Sequence, residues 1–244
     1  MIEFLRPELP LPSGLHILST TRLGGVSQRP WESLNLGTHV GDEFQRVEEN
    51  RKRLQTEAQL PGDIFWLSQC HGSQVVQAVP TKIPPVADGS WTDKTNQVLG
   101  ILTADCLPIT LWSEVGGKIA ALHGGWKGLA CGILEKGVKS LQITPEKIHG
   151  WIGPGISGPA YEVGDEVRTQ FLLTYPQTSQ SFTLNVRNKW NFDLSGAAKS
   201  ILLNLGLKNV TESGLCTHGD SQKFFSYRRD GETGRMATLI WKSD

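Results

Sequence analysis

Two apolar runs and the break between them set the pattern of the chain. Residues 107–112 are β-prone throughout, Gly116-Gly117 reads as a turn, and residues 118–122 alternate back, so a hairpin is predicted here. Gly124-Gly125 ends the second strand, and helical spacing takes over across residues 126–141. Further strands are predicted at residues 15–21, 64–67, 75–79, 98–103, 148–152 and 236–241. Helices are predicted from Asp42, as N-cap, to about Leu60, from Gly164-Asp165 towards Tyr175, and from Asp193, as N-cap, through Leu205. Residues 80–92, with Pro84-Pro85 and Asp88-Gly89, read as a loop, and Gly153 to Pro159 as a longer irregular one. Strands alternate with helices while hairpins also occur, which predicts a mixed-sheet α/β or α+β architecture.

The length of 244 residues suits one domain spanning 1–244, with a core large enough to need no disulfide. No linker of the kind that separates independent domains interrupts it. Lys+Arg and Asp+Glu number 24 each, so no net field favours nucleic acid or an anionic membrane. Residues 1–20 carry Glu, Arg and prolines where a signal peptide needs an apolar run, and no stretch approaches the ~20 apolar residues of a membrane span. A soluble cytoplasmic protein, monomeric or a small homo-oligomer, is expected. The cysteines Cys70, Cys106, Cys131 and Cys216 are far apart, without a C-x-x-C, and read as free thiols, three of them inert packing residues.

Chemistry concentrates where the hairpin ends. Cys106 precedes its first strand and His123 closes its second, and His71, in the run Gln69-Cys70-His71-Gly72, is a third group. If that run is extended, Cys70 and His71 point to opposite faces, with His71 towards the site and Cys70 towards packing. One thiol and two imidazoles are a ligand set found at catalytic zinc sites that keep a position open. The same atoms allow a thiol hydrolase with Cys106 as nucleophile and His123 as base. They also allow a copper site, although Met1 and Met236 are the sole methionines available as axial ligand. Each group can equally be an isolated structural residue, and residue types alone leave these readings open. Arg22 beside Gly24-Gly25, and Lys127 beside the Gly124-Gly125 helix start, are candidate anion contacts. Asp42 reads as a cap and His39 as a loop residue. A dinucleotide-binding fingerprint, a P-loop and a nucleophile elbow are missing.

The motifs T-A-D-C-L-P, L-H-G-G-W-K-G-L, I-G-P-G-I and F-F-S-Y-R-R-D-G-E-T-G-R-M, in this order, resemble those of the bacterial laccase-domain family, also called the YfiH or polyphenol oxidase family. The resemblance runs from Thr21 to Ile240. It implies a four-layer α/β/β/α fold and a zinc site on His71, Cys106 and His123. It also implies purine nucleoside chemistry: phosphorolysis of adenosine, inosine, guanosine and methylthioadenosine, with deamination of adenosine. Purine nucleosides and phosphate are then the partners; read from the residues themselves, Arg22 and Lys127 are the expected phosphate contacts and Asp105, Glu162 and Arg229 the candidate proton donors. An amidase that edits cell-wall precursors and a copper polyphenol oxidase are the alternatives within the family. The chain departs from the family's usual H-A-G-W-R-G at Gly124 and Lys127; a lysine there keeps the charge and loses the bidentate fork.

Overall fold

Strands that read as unbroken apolar runs, rather than alternating ones, must be covered on both faces. The computed structural model of the chain describes residues 1–114 and 117–243; Gly116 of the predicted Gly116-Gly117 turn lies outside them. In chain order the elements are β1 (Phe4–Leu5), β2 (Leu15–Thr20), α1 (Phe44–Glu57), β3 (Ile64–Phe65), β4 (Val75–Gln77), β5 (Gly89–Thr92), β6 (Val98–Thr103), β7 (Leu107–Ser113) and β8 (Ile119–Gly124). There follow α2 (Trp126–Ala130), α3 (Ile133–Leu141), β9 (Ile148–Ile152), β10 (Glu162–Val163), α4 (Asp165–Thr174), β11 (Phe182–Leu184) and β12 (Trp190–Phe192). The chain closes with α5 (Leu194–Asn204), β13 (Asn209–Glu212), α6 (Tyr227–Asp230) and β14 (Met236–Lys242). Every residue of β6, β7, β8 and β14 is buried.

Two large mixed sheets stack face to face. One has the order β1-β2-β14-β6-β3 and the other β13-β9-β7-β8-β5-β4, with a small third sheet β10-β12-β11 beside them. Alternation along the strands sorts side chains into separate layers. In β6, Leu99 and Ile101 face the core between the sheets, while Val98 and Leu102 face the core under Leu54 of α1. In β8, Ile119 and Ala121 point into the same central core, and Ala120 and Leu122 point outward to Leu134 and Val138 of α3 and Ile201 of α5. Helix, sheet, sheet and helix are therefore four layers, as the family resemblance implies.

Local corrections have identifiable causes. The helix predicted over 126–141 is two: α2 ends at Ala130, and Gly132, at φ 82°, takes the left-handed backbone that turns the chain before α3 begins. Asp42 does not cap α1, whose N-cap is Glu43. Its carboxylate accepts from Ser27 Oγ at 2.6 Å and Asn35 Nδ2 at 2.9 Å, so it braces the preceding loop. Asp193 does cap α5, accepting from the Gly196 N–H at 3.0 Å. Residues 89–92, predicted as loop, are strand β5, seated between β4 and β8. The Asp88-Gly89 pair carries a turn signature, yet here it opens an interior strand.

Candidate functional site

The hairpin β7–β8 pairs Leu107 with Gly124 and Pro108 with His123. Cys106, one residue before β7, therefore ends beside His123 at the same edge of the sheet. The third group arrives from another part of the chain. Gln69 lies against β6 as though it were a strand neighbour, its Nε2 donating to Leu102 O at 2.8 Å and its Oε1 accepting from the Leu102 N–H at 2.8 Å. His71 then adopts φ 60°, a left-handed backbone, so the extended-chain alternation expected for Cys70 and His71 does not apply. The ligand-capable atoms of His71, Cys106 and His123 lie within 4.8 Å of one another and could hold a metal ion. The two imidazoles meet edge to face, centroids 4.8 Å apart and planes at 74°. Gly125 closes over them: a Cβ there would stand 3.0 Å from His71 Cδ2 and 3.2 Å from Cys106 Sγ, so a larger residue would displace the cluster.

A carboxylate that sequence reading left in a loop organises this arrangement. Asp88, fully buried, accepts from His123 Nδ1 at 2.8 Å and from the N–H groups of His71 at 2.9 Å, Gly72 at 2.7 Å and Cys70 at 3.2 Å. The Cys70 thiol also donates to it at 3.2 Å, so Cys70, which is exposed, is a surface hydrogen-bond donor and not the packing residue expected. The main-chain oxygen of Asp88 accepts from the His123 N–H at 2.7 Å. His123 is thus held at backbone and ring, and with Nδ1 engaged its Nε2 is the nitrogen left for the cluster. Burial resists ionisation of Asp88, but the donors, with His123 foremost, outweigh it and hold the carboxyl far below the usual range. Burial likewise resists ionisation of Cys106, and the imidazoles of His123 and His71 overcome it, favouring thiolate. His123 is opposed by burial and raised by the Cys106 thiolate, then by Asp88.

Asp105, a candidate proton donor, lines the same region and acts as a clamp. It is buried at φ 92°, and its carboxylate accepts from Thr217 Oγ1 at 2.7 Å, Ser226 Oγ at 3.0 Å and the Arg228 N–H at 2.7 Å. It ties the residue next to Cys106 to two segments more than a hundred positions later. His71 and Asp105 are two of the six non-glycine residues at positive φ among the described residues, and both flank the cluster. Asp105→Ala leaves three donors without an acceptor and should lower unfolding free energy by about 2–4 kcal/mol in a denaturant titration. A variant as stable as the parent would show that the clamp carries no weight.

A cavity of about 480 Å3 opens above the cluster, lined by His71, Cys106 and His123 together with His39, Tyr161, Tyr227, Arg228 and Arg235. Neither Arg22 nor Lys127, the two expected anion contacts, lines it. The Arg22 guanidinium lies 4.6 Å over the Phe225 ring and donates to Glu32 O and Ser221 O. The loop around it uses its own N–H groups, Gly25 to Ser33 Oγ at 3.1 Å and Val26 to Asn50 Oδ1 at 2.8 Å. Lys127 projects into solvent from the exposed side of α2, its Nζ 5.8 Å from the Trp126 ring. Arg229 is consumed by Thr217 O, His218 O, Phe224 O and the Asp230 carboxylate, and the Glu162 carboxylate pairs with Arg187. The cations at the cavity, Arg228 and Arg235, lie inside the C-terminal F-F-S-Y-R-R-D-G-E-T-G-R-M run, where the motif was visible but the direction of each side chain was not.

The family described as multi-copper polyphenol oxidoreductase laccase matches residues 16–243. The chain belongs to this laccase family. It is 40% identical to the purine nucleoside phosphorylase YfiH of Escherichia coli over 99% of both chains, and 41% identical to a Pseudomonas aeruginosa purine nucleoside phosphorylase over 100% of both. Among solved structures, the Neisseria meningitidis protein NMB0706 superposes with a TM-score of 0.95 at 40% identity, covering 99% of each chain. YlmD from Geobacillus stearothermophilus superposes with a TM-score of 0.91 at 32% identity, covering 99% of this chain and 96% of its own. For this laccase-family chain, the described residues include one group of three or more His, Cys, Asp or Glu that could hold a metal. No helix is long and apolar enough to cross a membrane among those residues.

Proposed function

We propose that this protein is a zinc-dependent purine nucleoside phosphorylase acting on adenosine, inosine, guanosine and S-methyl-5'-thioadenosine, with deamination of adenosine as a second activity. The observation that carries this reading is the meeting of two imidazoles and a thiol on the wall of a cavity of about 480 Å3, a size within the usual range for small-molecule sites. The names of relatives 40–41% identical over full length support it.

The donor set suits zinc: His71, Cys106 and His123 would hold it with a position left open, and bound there it would supply a Lewis acid. Copper fits less well. Met236 Sδ is engaged by the Phe225 N–H at 3.1 Å and Met1 is fully exposed, so neither offers the cavity an axial thioether.

The chain's own residues supply binding. Tyr161 and Tyr227 line the cavity and give it aromatic surface. Burial, followed by the nearby Cys106 charge, raises the Tyr161 hydroxyl above its ordinary value, so it stays a hydrogen-bond donor throughout the working range. In phosphorolysis the C1'–N9 bond of the nucleoside breaks and a C1'–O bond to phosphate forms. The bonding pair leaves with the purine, which takes the proton of hydrogen phosphate, giving ribose 1-phosphate and free base. In deamination, water replaces the 6-amino group and ammonia leaves.

Protein purified without added metal should contain about one zinc per chain by mass spectrometry and release hypoxanthine from inosine in proportion to added phosphate. Release that ignores phosphate, or hydrolysis of a UDP-MurNAc-amino acid in its place, would overturn the reading.

A further inference from the structure

Buried or half-buried guanidinium groups in folded proteins are ordinarily paired with a carboxylate. Two arginines of this cavity, Arg235 half-buried and Arg228 exposed, are not. Arg228 donates through Nη1 to Glu162 O at 2.8 Å, and its guanidinium lies 4.8 Å over the Tyr161 ring. Arg235, largely covered by its surroundings, donates through Nη1 to Thr233 O at 2.9 Å and Gly234 O at 3.0 Å, and lies 6.0 Å from the Tyr227 ring. Each is therefore fixed by one nitrogen and one aromatic face. Nε and Nη2 of both make no hydrogen bond, and neither arginine makes an ion pair, among the described residues. The contrast with neighbouring Arg229, which binds the Asp230 carboxylate through both Nε and Nη2, shows what a structural arginine in this segment looks like. Asp105, the one carboxylate lining this cavity among the described residues, already accepts from Thr217, Ser226 and the Arg228 N–H.

Two guanidinium groups that line one cavity without a hydrogen-bonded carboxylate, Arg235 feeling the Cys106 and Asp105 charges only at a distance, suit a tetrahedral oxyanion, which takes parallel N–H bonds from a guanidinium edge. Both face the cavity that holds His71, Cys106 and His123. We propose that Arg228 and Arg235 together form the subsite that takes inorganic phosphate, the place assigned from sequence to Arg22 and Lys127. This rests on the phosphorylase reading above for the identity of the anion, but not for the existence of the subsite.

The test uses the zinc-loaded protein and the variants Arg235→Ala, Arg228→Ala and Arg235→Lys, with Lys127→Ala as a control. In inosine phosphorolysis, each alanine variant should raise the KM for phosphate by about 10–100-fold, the usual weight of a charge-assisted hydrogen bond. KM for inosine should change far less, zinc content should be unchanged, and Arg235→Lys should recover part of the loss. Lys127→Ala should behave as the parent. Calorimetric titration of inorganic phosphate into the same proteins, without nucleoside, should show the same order of affinities. Phosphate binding that weakens in the variants while the parent cleaves no nucleoside would keep the subsite and remove the phosphorylase reading. An unchanged phosphate KM and unchanged phosphate affinity in both alanine variants would overturn the subsite. Weakened binding of a nucleoside 5'-monophosphate with undiminished binding of inorganic phosphate would also overturn it, by assigning the forks to a substrate's own phosphate.

Discussion

Cys106→Ala should purify with almost no zinc and lose at least ~100-fold in phosphate-dependent inosine cleavage, since even outer partners of metal ligands commonly carry 10–100-fold. The expectation rests on what surrounds the sulfur. His71 and His123 lie close enough to share an ion with it, and both imidazoles favour its thiolate over the thiol. A thiolate is what a divalent metal binds. The same loss of activity would follow if Cys106 were a nucleophile with His123 as its base, so activity alone does not discriminate. Zinc content does. A nucleophile variant would keep its metal, and dialysis of the parent against a chelator would leave turnover intact. Under the metal reading, chelation of the parent should reproduce the Cys106→Ala phenotype and added zinc should reverse it in the parent only. A zinc-free parent with full turnover would end the metal reading.

The hairpin part of this site was legible from the chain because strand pairing is local. Apolar runs on either side of the loop near Gly117 bring Cys106 and His123 together by register alone, whereas the four layers followed from the family resemblance and not from periodicity. What was illegible depends on contacts distant in sequence or on single backbone angles. His71 reaches the site through φ 60° and through Gln69 pairing with Leu102, neither of which a period-two pattern contains. Glycines beside Arg22 and Lys127 suggest anion contacts, yet Arg22 stacks on Phe225, about two hundred positions away, and the Gly25 and Val26 N–H groups are consumed internally. Arg228 and Arg235 sit among other charged residues of one motif, and only the fold distinguishes the paired Arg229 from its unpaired neighbours. Asp88 was masked by its own signature, an Asp-Gly dipeptide in a proline-containing stretch.

Asp88 carries the second large expectation. Asp88→Asn keeps the shape of the side chain but replaces one acceptor oxygen with an NH2 group, and every atom facing it is a donor. If the amide nitrogen takes the Oδ2 position, it confronts the N–H of Gly72, the N–H of Cys70 and the Cys70 thiol. If it takes the Oδ1 position, it confronts the His71 N–H and His123 Nδ1. In that second orientation Nδ1 must become an acceptor, which moves the ring proton to Nε2 and blocks the nitrogen needed by a metal. Either choice leaves buried donors unmet, at about 1–3 kcal/mol each. Zinc affinity should therefore fall by about 10–100-fold. The melting temperature should fall by roughly 4–10 °C for a chain of this size. The two effects separate by chelation, because all of Asp88's partners are protein atoms: the loss of stability should persist when parent and variant are compared without zinc. A zinc-free Asp88→Asn protein as stable as the zinc-free parent would mean that residues 70–72 are held in place by the metal and not by Asp88.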